Sequence, residues 1–150
     1  MLVSHHDSYW DGVLAAALDP RVVPITSSRW RSIHGVGWAL ESYGVLWTNE
    51  QTVASATGLV LRGAACWMAP RAYDRGASDG PVHLGAARIC VGAQAPLVPM
   101  TLSGLGRIAR GRRPRSLAEV AIWPPVWPTP GESAAAFSRR LEASLPRPVY

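Results

Sequence analysis

Apolar residues fall along this chain in two rhythms. Short apolar runs at 22–27 (VVPITS), 45–48 (VLWT), 64–69 (AACWMA), 96–101 (PLVPMT) and 117–123 (LAEVAIW) have the length and β-branched content of strands. Between them, residues 11–18, 32–43, 51–62, 84–94 and 132–145 carry helical periodicity, the last with Phe137, Leu141 and Leu145 on one stripe. Strand and helix alternate, which favours an α/β layer architecture over a bundle or a sandwich. The opening Leu2 and Val3 read as the tail of a further strand, because the pattern changes abruptly to His, Asp and Ser before the apolar helix from Gly12. Residues 104–115 (GLGRIARGRRPR) follow neither period, and PPVWPTPG is a proline-rich loop. There is no internal repeat, and 150 residues suffice for one domain, 1–150, whose 48% hydrophobic composition supplies a single core.

Charge adds a partner class. The fifteen basic residues are all arginine, so the net charge of +5 persists at any pH near neutral and the surface attracts anions. Five of them, Arg107, Arg110, Arg112, Arg113 and Arg115, crowd into nine residues. That run reads as a binder of an anionic membrane surface; a plain solvated loop is the alternative. A nucleic-acid role would bring a recognition motif or interleaved aromatics, so no nucleic-acid partner is expected. Cys66 and Cys90 sit in apolar stretches without CxxC spacing and read as buried thiols of a reducing compartment. The histidines and aspartates of MLVSHHDSYWDG break any signal-peptide pattern, and no window approaches the roughly 20 apolar residues of a spanning helix. The expected location is cytoplasmic, peripheral at the inner face of the membrane.

The candidate chemistry lies at the first strand-to-helix junction. His6 and Asp11, four residues apart in HDSYWD, suit a general base and the carboxylate that fixes its tautomer and stabilises its imidazolium. Taken alone, an H-x4-D match is more often surface decoration than a catalytic pair. Adjacent histidines in a strand point to opposite faces, and neither His5 nor His34 comes with an HExxH or Cys-His cluster, so no metal is expected.

The stretch SHHDSYWDG resembles the NHxSxxD signature of the 1-acylglycerol-phosphate (PlsC-like) acyltransferase family, with His6, Ser8 and Asp11 in register and His5 in place of the usual Asn. GWALESYGVLWTN is similar to the segment leading to the family's second block. Residues 80–104 resemble its glycine-led helix and apolar strand, with Gly85 to Arg88 matching the helix and Ala95 to Pro99 the strand. Order and spacing agree over about residues 2–145. The resemblance implies a mixed, mostly parallel sheet flanked by helices, glycerol-phosphate-acyltransferase-like and shortened at the N-terminus. It also implies O-acyl transfer from an acyl thioester, on coenzyme A or an acyl carrier protein, to a lysophospholipid-like or other lipid acceptor. That thioester is a co-substrate, and no cofactor is expected.

Two blocks depart from the family pattern. The second ends in Glu50 where the family carries arginine, and the third, usually FPEGTR, falls on Ala69-Pro70-Arg71-Ala72-Tyr73-Asp74-Arg75. Arg71 and Arg75 still place two fixed charges after a strand, suited to gripping a phosphate or carboxylate; a solvated loop shared with Asp74 and Asp79 accounts for them equally. Arg29 is a weaker substrate-binding candidate after the second strand, with Arg31 beside it, and Trp10 and Trp30 are candidates to line an acyl channel. The departures leave a second expectation open: a catalytically impaired relative that binds an acyl chain or phospholipid.

Overall fold

The computed structural model describes residues 1–4, 11–69, 84–103 and 119–144. Among them are six strands, β1 (Leu2–Ser4), β2 (Val22–Thr26), β3 (Leu46–Trp47), β4 (Ala65–Met68), β5 (Val98–Ser103) and β6 (Glu119–Ile122). The helices are α1 (Asp11–Leu18), α2 (Val36–Tyr43), α3 (Thr52–Leu61), α4 (Leu84–Ala93) and α5 (Ala134–Ser144). The strands form one sheet in the order β3-β2-β4-β1-β5-β6. Every neighbouring pair is parallel except β5 with β6. The α/β expectation and the mixed, mostly parallel sheet flanked by helices are both met.

Right-handed crossovers explain which face each helix covers. The chain steps from β1 out to β2, later returns to β4, and then crosses β1 to reach β5, so the outward and returning connections belong on opposite faces. Ala15 of α1 accordingly packs with Val22, Trp67 and Met100 on one side. On the other, Ala56 of α3, Ala86, Ala87, Ile89 and Cys90 of α4, and Phe137 and Leu141 of α5 pack with Val3, Ile25, Cys66 and Leu97. Alternation along β4 divides its side chains between the two layers: Cys66 enters the larger cluster and Trp67 the smaller. Burial pushes the Cys90 thiol up to about 11 and raises Cys66 as well, so both remain protonated at neutral pH, as buried, unreactive thiols.

The expected helix 32–43 needs correction. Residues Ser28–Ser32 form a 3₁₀ turn, Ile33 is extended, and α2 begins only at Val36. Gly35 sits at φ +78°, outside the right-handed helical region, and breaks the run. Gly37 is buried because α2 lies directly on the turn, and a Cβ there would collide with the carbonyl of Arg31. Arg31 Nε reaches Glu41 at 2.8 Å across the same contact. At its other end α2 stops at Gly44 in the left-handed conformation, whose N–H donates to Leu40 and Glu41 carbonyls. The remaining elements fall within two or three residues of their expected bounds.

The sequence stripe on the last helix is borne out at Phe137 and Leu141, which are 0% and 1% exposed; Leu145 lies outside the described residues. The helix starts on Ser133, whose Oγ accepts from the N–H of Ala136 and whose carbonyl accepts from that of Phe137. Arg140 lies 5.0 Å from the centre of the Phe137 ring, ties to Glu132 at 2.6 Å and donates to the Trp127 carbonyl, fastening the proline-rich loop to the helix.

Candidate active site

The topology singles out one edge of the sheet. β1 and β4 are parallel neighbours, yet the chain leaving β1 enters α1 on one face while the chain leaving β4 leads to α4 on the other. Where two such connections diverge, a crevice opens outside the carboxyl ends of the strands, and open α/β sheets bind their ligands there. Segment 5–10 follows Ser4 of β1 and segment 70–83 follows β4, so both begin from the carboxyl ends of these two strands. His6 lies on the first segment, Arg71 and Arg75 on the second, and all three are outside the described residues. So are Trp10 and the run from Arg107 to Arg115, which follows β5, the other neighbour of β1.

Asp11 is described. It opens α1 and is 0% exposed, a carboxylate enclosed in the first turn of a helix, where the dipole favours negative charge. Five positions after His6 in the sequence, it is the first residue of the helix that follows β1. The junction is tight on both sides. Ser4, 2% exposed, accepts a hydrogen bond at 3.0 Å from the indole N–H of Trp67 on β4. Gly12, next to Asp11, rests on the same indole: a Cβ there would stand 3.1 Å from ring atom Cζ3 and 3.8 Å from Cβ of Pro24.

Arg29 follows β2 on the 3₁₀ turn, on the carboxyl edge but one strand beyond β4, and its side chain is exposed. Trp30 beside it is half-buried. A shallow groove of about 480 Å³ runs beside the contact of this turn with α2, lined by Arg31, Ile33, His34, Trp38 and Glu41. It contains neither Asp11 nor Ser4. His34 is exposed, and among the described residues no three of His, Cys, Asp and Glu gather as a metal site requires.

No family model matches the sequence, and no curated protein does. Among solved structures, the chain is similar to the 1-acyl-sn-glycerophosphate (LPA) acyltransferase PlsC from Thermotoga maritima, with a TM-score of 0.69 at 19% identity. The fold matches that of a PlsC acyltransferase. The match takes in 96% of this chain and 62% of that one, so the chain spans less than two thirds of the length of its structural neighbour. At this identity the likeness speaks for the fold alone.

Sequence reading missed Ser4 and Trp67. A serine closing an apolar strand just before a His-His pair was the available signal for the first. The second had none, since a tryptophan in an apolar strand reads as ordinary core, and its partner stands 63 residues away.

Proposed function

We propose that this chain is an acyltransferase that moves a fatty acyl group from an acyl thioester, on coenzyme A or an acyl carrier protein, to a hydroxyl of a lysophospholipid-like or other lipid acceptor. The observation that carries this reading is the fully buried Asp11 at the start of α1, five positions after His6 in the sequence, with β1 and β4 as parallel neighbours whose connections diverge. The PlsC-like fold supports it.

In the proposed reaction His6 takes the proton of the acceptor hydroxyl as its oxygen attacks the thioester carbonyl, forming a tetrahedral oxyanion. Asp11 holds the imidazole in the tautomer that presents a free nitrogen, and it stabilises the imidazolium. Collapse of the intermediate breaks the C–S bond, and the departing thiolate takes the proton back from His6. The ester and the free thiol leave with no covalent enzyme intermediate. Backbone amides or an arginine supply charge to the oxyanion. Arg71 and Arg75, with Arg29 more peripheral, are the proposed grips for acceptor or donor phosphate, since each follows a strand at the carboxyl edge.

The run Arg107, Arg110, Arg112, Arg113 and Arg115 is the proposed hold on an anionic leaflet, at about 1 kcal/mol per basic residue near the surface. This puts the protein in the cytoplasm at the inner face of the membrane. No helix among the described residues is long and apolar enough to cross a membrane. Binding to anionic vesicles should weaken as salt rises and should fall when Arg110, Arg112 and Arg113 are replaced by glutamine. Undiminished binding by that triple variant would remove the docking role.

One observation favours a second reading, a catalytically impaired relative that binds an acyl chain or phospholipid: Glu50 and Arg71 stand where the family's second and third blocks carry arginine and glutamate. Lipid profiling by mass spectrometry, in cells with and without the gene, separates the two. The acyltransferase reading expects one acylated lipid to disappear and its lyso form to accumulate; unchanged ester profiles would favour the binder.

A further inference from the structure

One side chain touches described residues on both sides of the stretch that carries His6, and these two residues, Ser4 and Gly12, are its anchors. Ser4, the last residue of β1, accepts from Trp67 Nε1 at 3.0 Å, and Gly12, the second residue of α1, lies against Cζ3 of the same ring. His6 is two positions beyond the first anchor, and Asp11 is one position before the second. We propose that Trp67 is a positioning residue for acyl transfer: its indole fixes the spacing between the end of β1 and the start of α1, and so the register of His6 against Asp11. The inference rests on the acyl-transfer reading above and names a residue that acts on that site through Ser4 and Gly12.

Trp67 is suited to the task because it cannot move. β4 lies between β2 and β1, and Trp67 is paired in register with Pro24 on one side and Leu2 on the other. Its side chain is 4% exposed among Ala15, Val22 and Met100. A buried indole N–H must find an acceptor. Here that acceptor is a serine hydroxyl at the strand end, so the donor bonds to the chain that leads into the site. For packing alone, phenylalanine would serve as well. The glycine at position 12 fits the same account: a Cβ there would stand 3.1 Å from the ring, tighter than ordinary contact, so either the ring or the first turn of α1 would have to give by a few tenths of an ångström. Reacting groups displaced by about 1 Å lose on the order of a hundredfold in rate, so a fixed spacing between Ser4 and Gly12 has a direct catalytic consequence in this reading.

Trp67→Phe tests this, because it keeps most of the ring under Gly12 and removes the donor to Ser4. The expected result is a drop in kcat of about tenfold per folded molecule, with KM for thioester and acceptor unchanged. Ser4→Ala should lower kcat similarly, and the double variant should be little worse than either alone, because both changes break one bond. The imidazole titration of His6, followed by NMR and assigned through its absence in His6→Ala, should move to lower pH in Trp67→Phe as the Asp11 carboxylate loses its fixed contact. A structural role alone would lower thermal stability and leave that titration in place. An unchanged His6 titration in both single variants would overturn the proposal, whatever the turnover. Loss of kcat in His6→Ala together with parental kcat in Trp67→Phe would also overturn it, while leaving the acyl-transfer reading standing. A parental rate in His6→Ala would instead bring down that reading.

Discussion

His6→Ala should abolish most acyl transfer and leave the fold in place. Removing the base leaves the acceptor hydroxyl to attack with its proton still on, and the loss expected for a positioned general base is about a hundred- to ten-thousand-fold in kcat. The fold should survive, because among the described residues β1 is held in the sheet by the registers of Leu2, Val3 and Ser4 with β4 and β5. Asp11→Asn should cost less in rate than the loss of the imidazole itself, since the base remains and only its tautomer and orientation loosen. It should cost more in stability, since Asp11 is 0% exposed and the exchange alters polar groups that have no access to water. Initial rates and thermal melts on the same preparations check both. A parental rate in His6→Ala would end the catalytic assignment, and an unfolded His6→Ala would recast the residue as part of the core.

The largest stability effect should come from the far side of the sheet. Phe137 is the one phenylalanine in the chain, is 0% exposed, and shares one core cluster with Ala86, Ala87 and Cys90 of α4 and Cys66 of β4. Phe137→Ala removes a buried ring from a layer lined by small side chains, and such truncations cost about 3–5 kcal/mol. For a chain of this size that corresponds to a drop in Tm of roughly 6–20 °C. Denaturant or thermal unfolding measures it directly. A loss below about 1 kcal/mol would mean that α5 is not an integral layer of the core.

Much of this architecture was legible in the sequence, for reasons that differ between elements. Strands β2, β4 and β5 are short apolar runs between polar connections, and α5 shows its buried stripe at Phe137 and Leu141, so periodicity suffices. The 3₁₀ turn and the late start of α2 were hidden, because Ile33, Val36 and Leu40 continue a helical spacing across Gly35, whose positive φ interrupts it. Strand order could not be read at all. That β1 lies between β4 and β5 is a matter of long-range pairing, to which local pattern is blind. The candidate site divides the same way. His6 and Asp11 are near neighbours in sequence and stood out as a motif, whereas the Trp67–Ser4 bond depends on β4 lying beside β1 and left no local trace.

The most direct test is acyl transfer by the purified protein, supplied with acyl-CoA or acyl carrier protein thioesters and a panel of lysophospholipids, with the ester product identified by mass spectrometry. The account predicts an acceptor-dependent product, one equivalent of free thiol released per ester formed, and loss of both in His6→Ala. Folded protein that binds the lipids yet forms no ester with any acceptor would contradict it.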